Sequence, residues 1–73
     1  MDQLTKDVLG SFQLWRQESL DLHTLFEAGG NDPEVRTRVF DIVERLVKEG
    51  LLAEDGNDFY SLTEKGKEIA RQL

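Results

Sequence analysis

Two stretches decide the fold: Leu46-Val47-Lys48-Glu49-Gly50-Leu51-Leu52, and, eight residues later, Tyr60-Ser61-Leu62-Thr63-Glu64-Lys65-Gly66. In the first, Gly50 follows an amphipathic run, where only a residue that accepts the left-handed conformation ends a helix cheaply. Leu51-Leu52-Ala53-Glu54 then has the composition of a strand. Asp55-Gly56 is a two-residue hairpin signal, because a tight turn needs residues that tolerate positive φ. Asn57 to Leu62 is expected to return as a second strand, with Tyr60 and Leu62 on one side and Phe59 on the other. Thr63 is placed to cap a last helix, in which Gly66, Ile69, Ala70 and Leu73 share one face.

Upstream, Asp32-Pro33-Glu34 is the strongest helix-start signal in the chain. The expected cap is Asp32, Pro33 stands where no N–H is needed, and Glu34 suits the positive helix end. From about Pro33 to Glu49 the apolar stripe is Val35, Val39, Ile42, Val43 and Leu46. A short helix precedes it, with Asp21 as cap, Leu22, Leu25 and Phe26 on one face, and Gly29-Gly30 at its end. Ser19-Leu20 is a short extended connection. The first helix is expected from about Asp2 to Gln17, with Leu4, Val8, Phe12 and Trp15 on its stripe and Leu9 and Leu14 off it. Gly10 lies inside that helix, either at a close helix contact or simply tolerated.

The fold class is therefore mainly α with a small β-hairpin, in the order helix, short strand, helix, turn, helix, two hairpin strands, helix. Residues 1–73 are expected to form a single domain around one core. The chain resembles the winged-helix form of the helix-turn-helix superfamily. The shared pattern is a leucine, a helix-ending glycine and two apolar residues, then the wing, then an L-T-x-K-G start to the final helix, here Leu62-Thr63-Glu64-Lys65-Gly66. The resemblance covers residues 19–73 well and residues 1–18 loosely. It carries fold more than function, since one fold hosts many activities.

The resemblance implies that the third helix is the one that enters the DNA major groove in family members that bind DNA. By position, its exposed residues are then Arg36, Thr37, Arg38, Phe40, Asp41, Glu44, Arg45 and Lys48, and the candidate DNA contacts are Arg36, Thr37, Arg38, Arg45 and Lys48. Charge argues against that use. The 73 residues carry 15 acids against 9 bases, net −6, whereas nucleic-acid affinity is built on Lys and Arg at phosphates. No segment is strongly basic. Each base on the third helix has an acid four residues earlier: Asp32 with Arg36, Glu34 with Arg38, Asp41 with Arg45, Glu44 with Lys48. That order stabilises a helix and supplies local counter-charge. The wing carries Glu54, Asp55 and Asp58 and no base; beside a phosphate these repel.

A protein partner or a homodimer is the favoured expectation, in a regulatory role. Transcriptional regulation through DNA is the alternative. The candidate interface residues are Leu9, Leu14, Phe40, Phe59, Ile69 and Leu73. In the resembling superfamily the first and last helices are common self-association elements. Trp15 is assigned to core or dimer packing.

Catalysis is not expected. Ser61 and Thr63 have no nearby base to activate them, and Gly29-Gly30 lacks the frame of a phosphate loop. There is no Cys and one histidine, His23, which is not a convincing metal site with scattered carboxylates. No cofactor or metal is expected. No apolar run approaches the roughly 18 residues that span a bilayer, and the first residues lack a signal-peptide pattern. A soluble, cytoplasmic protein with no membrane partner is expected.

Overall fold

In the computed structural model, which describes residues 1–73, helix α1 spans Gln3–Leu14. Asp2 opens it by accepting a hydrogen bond from the Thr5 N–H at 2.8 Å. It stops three residues earlier than its apolar spacing suggests. Arg16 takes a left-handed conformation (φ 53°), and the Gln17 N–H reaches back to the Phe12 carbonyl at 3.0 Å. This is the paired closure that satisfies the last free carbonyls of a helix, made here without glycine.

Strand β1 (Ser19–Asp21) leads into helix α2 (Leu22–Phe26) and a single 3-10 turn, Glu27–Gly29. Gly30 (φ 84°) and Asn31 (φ 64°) then reverse the chain into helix α3 (Pro33–Lys48). Asp21 and Asp32 occupy the expected cap positions, but neither side chain makes the cap bond. Asp21 accepts from the Thr24 hydroxyl instead. The stripe Val39, Ile42, Val43 and Leu46 is buried as expected. Helix α3 closes on Gly50 (φ 79°), with the Leu51 N–H bonded to the Leu46 carbonyl at 2.9 Å.

Strands β2 (Leu52–Gly56) and β3 (Phe59–Leu62) form the hairpin, and β1 adds to its other side, giving an antiparallel sheet in the order β1-β3-β2. The turn differs from the expected one. Asp55-Gly56 belongs to β2, and the loop is Asn57-Asp58, both left-handed (φ 52° and 63°). Glu54 pairs with Tyr60 but Gly56 pairs with Phe59, so Asp55 is a bulge. Its carboxylate accepts from the hydroxyls of Ser19 and Ser61, which fixes the extra residue on the sheet.

Helix α4 (Glu64–Arg71) is tied to the start of β2 by the residues of the L-T-x-K-G pattern. The Thr63 hydroxyl accepts from the Gly66 N–H at 3.0 Å and donates to the Gly50 carbonyl at 2.5 Å. The Thr63 N–H donates to the Leu51 carbonyl at 3.1 Å, and Lys65 donates to the Glu49 carbonyl at 3.2 Å. A Cβ at Gly66 would lie 2.0 Å from the Leu51 carbonyl oxygen, so the helix approaches β2 more closely than any side chain allows.

One core cluster of twelve residues joins α1, α2, α3 and the sheet. Leu9 is among them and fully buried, so it is a core residue and not part of a docking edge. The reason is that α1 buries a wide arc, Thr5, Val8, Leu9, Ser11 and Phe12, against more than one neighbour. Trp15 departs the other way: it is the residue at which α1 ends, and it stands half exposed, outside the core. Ile69 packs partly buried against the core, while Leu73 lies past the end of α4, exposed. No helix is long and apolar enough to cross a membrane.

Candidate docking groove between the third helix and the hairpin

The buried stripe of α3 fixes where its other side chains go, because successive residues turn by about 100°. Opposite the stripe lie Thr37, Asp41, Glu44 and Lys48, all exposed. Carboxylates therefore hold much of the outward centre of the helix. The arginines lie to either side of it. Arg38 and Arg45, seven residues apart, flank the side that faces the start of α1. The Arg45 guanidinium donates to the buried Thr5 hydroxyl at 3.0 Å. Hydrogen bonding from Thr5 to the Asp2 carboxylate, and then the charges of Arg45 and Arg38, hold the Asp2 carboxyl below its ordinary range. Arg36 lies on the other flank. Its Nε donates to the Asn31 side chain at 2.8 Å and its guanidinium carbon stands 5.8 Å from the centre of the Phe26 ring.

None of the four acid–base pairs expected along α3 forms an ion pair. The salt bridges are Lys67 with Glu18 and Glu64, and Arg71 with Glu68. An exposed pair is worth little: Arg36 and Arg45 turn to a neutral acceptor or an aromatic ring instead, and Arg38 and Lys48 make no side-chain bond at all. The carboxylates Asp41 and Glu44 are left unpaired on the outward face.

Between α3 and the hairpin runs a groove of about 360 Å³. Its apolar floor is Phe40, Val47 and Tyr60, and its rim carries Glu44, Glu54 and Asp58 against the single cation Lys48. Tyr60 is 6% exposed. Its hydroxyl makes no hydrogen bond within the protein, and no fully buried polar atom lacks a partner. The hydroxyl is therefore the part of the ring that opens into the groove. Burial first, then the charges of Glu54, Asp58 and Glu44, push the phenol above its ordinary pKa. The ring thus senses the negative field of all three rim carboxylates.

Of the expected interface residues, Phe40 (40% exposed) lines this groove and Phe59 (43%) stands on the opposite side of β3 from Tyr60. Leu14 and Leu73 are exposed near the far ends of α1 and α4. Between α1 and α4 a second groove is bordered by Phe12, Arg16, Leu62, Lys67 and Arg71. Two of its cations, Lys67 and Arg71, are the ones already held in ion pairs.

The sequence puts Tyr60 on one side of the second hairpin strand with Leu62 and does not connect it with the hairpin acids. The signal in the sequence was a phenol two residues after Asp58; its pairing with Glu54 depends on the bulge at Asp55 and the Asn57-Asp58 turn. No three His, Cys, Asp or Glu side chains converge to hold a metal ion. Comparison of the chain with family models, with curated proteins and with solved structures gives no match.

Proposed function

We propose that the chain is a non-catalytic winged-helix module that makes protein–protein contacts in a regulatory role and does not read nucleic acid. The observation that carries this reading is the groove between α3 and the hairpin. In the resembling family that region meets the DNA backbone, and here its rim holds Glu44, Glu54 and Asp58 against Lys48 alone. A phosphate brought there meets net repulsion. None of the flanking arginines lines the groove, and Arg36 and Arg45 are held toward Asn31, Phe26 and Thr5.

Titration with duplex DNA at low salt, followed by the backbone amide spectrum, tests the exclusion. Unchanged amides for Thr37, Asp41, Glu44 and Lys48 are expected. Saturable shifts there that vanish with added salt would establish the DNA-binding alternative. A second copy of the chain is a separate reading, supported by the exposure of Leu14, Trp15 and Leu73. It predicts a mass that rises with concentration in light scattering, and a Leu14→Ser variant that stays monomeric.

A further inference from the structure

We propose that the groove between α3 and the hairpin docks a basic segment of a partner protein, with an arginine side chain inserted between the hairpin carboxylates and Tyr60 and an adjacent apolar side chain on Phe40. This names the partner class for the interaction role proposed above and rests on that reading.

Two independent observations point to the same occupant. The first is charge. Three carboxylates surround the groove, and the one cation facing it, Lys48, leaves it net negative. The nearest other hairpin acid, Asp55, is turned away onto Ser19 and Ser61 and is not part of the rim. The second is Tyr60. Its ring is more than nine-tenths buried, yet its hydroxyl is unpartnered and opens into the groove. A neutral phenol both donates and accepts, and an acceptor set in a ring of carboxylates is matched by a cationic N–H donor.

The apolar floor selects among cations. Phe40 is 40% exposed and presents its ring to the groove lined by Val47 and Tyr60. A hydrated metal ion does not use such a surface, whereas the methylene stem of an arginine and a neighbouring leucine do. Guanidinium also stacks on aromatic faces and binds carboxylates in a planar, two-pronged manner, so arginine fits better than lysine. The groove, about 360 Å³, is open and of the size to take the side chains of a short segment.

The experiment is an amide-shift titration of the whole chain with a capped hexapeptide of sequence Ala-Leu-Arg-Ala-Leu-Arg, with its Ala-Leu-Glu counterpart and duplex DNA run in parallel. Saturable shifts at Phe40, Glu44, Lys48, Glu54 and Tyr60 are expected with the arginine peptide only. Glu54→Gln with Asp58→Asn should weaken binding roughly three- to tenfold, the effect of losing two partly exposed charge pairs. Tyr60→Phe keeps the packed ring and should weaken it roughly two- to tenfold. Shifts spread evenly over Glu18, Glu64 and Glu68, or binding unchanged by the hairpin double variant, would overturn the proposal. If neither peptide nor DNA acts on the groove, the basic-partner assignment falls while the exclusion of DNA stands. If DNA shifts the α3 amides, both fall.

Discussion

The same substitution at two glycines is expected to act with opposite sign. Gly66→Ala places a Cβ 2.0 Å from the Leu51 carbonyl oxygen, and ordinary contact begins at 3.4 Å. The 1.4 Å difference must come from backbone, because the obstacle is a carbonyl and not a flexible side chain. Moving α4 that far breaks the Thr63 bonds to Leu51 and Gly50. Forced overpacking costs about 1–3 kcal/mol, and two lost hydrogen bonds add about 1 kcal/mol each. The better helix propensity of alanine returns about 1 kcal/mol. The net is a loss of roughly 2–4 kcal/mol, which in a domain of this size lowers Tm by about 10 °C or more. At Gly10 a Cβ meets nothing within 4 Å and the backbone is helical. Gly10→Ala should therefore raise stability by about 1 kcal/mol and Tm by roughly 4–8 °C. Thermal melts followed by circular dichroism, with urea titration as a check, measure both. A Gly66→Ala variant as stable as the parent would refute the close approach of α4 to β2. A destabilised Gly10→Ala variant would show that α1 packs there against something absent from the monomer.

Two further outcomes follow from the α1–α3 contact. Thr5→Val and Arg45→Gln should each destabilise by about 1 kcal/mol, and the double variant by less than the sum, because they share one hydrogen bond; additive losses in a double-mutant cycle would remove that bond. Asp2 has its folded pKa lowered by hydrogen bonding to Thr5 and by the Arg45 and Arg38 charges. Its stabilisation is present above the unfolded-state pKa and is lost as pH falls through the folded one. Acid titration of stability should thus be shallower in Asp2→Ala than in the parent, and equal slopes would contradict the assignment.

Much of the architecture was legible because single residues carried it. Pro33 starts α3, Gly50 ends it, and Thr63 caps α4, each for a local backbone reason that needs no tertiary information. The hairpin turn was misplaced by two residues because Asp55-Gly56 and Asn57-Asp58 both tolerate left-handed geometry. The choice was made by the Ser19 and Ser61 hydroxyls that capture Asp55, one of them distant in sequence. Leu9 looked like an edge because periodicity shows a stripe and not how many neighbours a helix packs against. Trp15 kept the spacing of the stripe but fell at the residue where α1 ends. The acid–base spacing along α3 was real, yet exposed ion pairs are too weak to hold Arg36 and Arg45, which bond to Asn31 and Thr5 instead. The acidity of the hairpin was plain in sequence. That Tyr60, Phe40 and Glu44 meet it across one groove depends on the packing of α3 against the sheet.

Tyr60 is the only tyrosine in the chain, so phenolate absorbance reads the potential of this groove at one atom. The folded pKa is raised, so the hydroxyl should titrate above the ordinary value near 10. Its contribution to stability should be fully present below that value and lost as pH rises through the folded pKa. Replacing Glu54 with Gln and Asp58 with Asn, or adding salt to the parent, should move the midpoint down. A midpoint below the ordinary value, or one that rises when the carboxylates are removed, would mean that the groove is not electronegative.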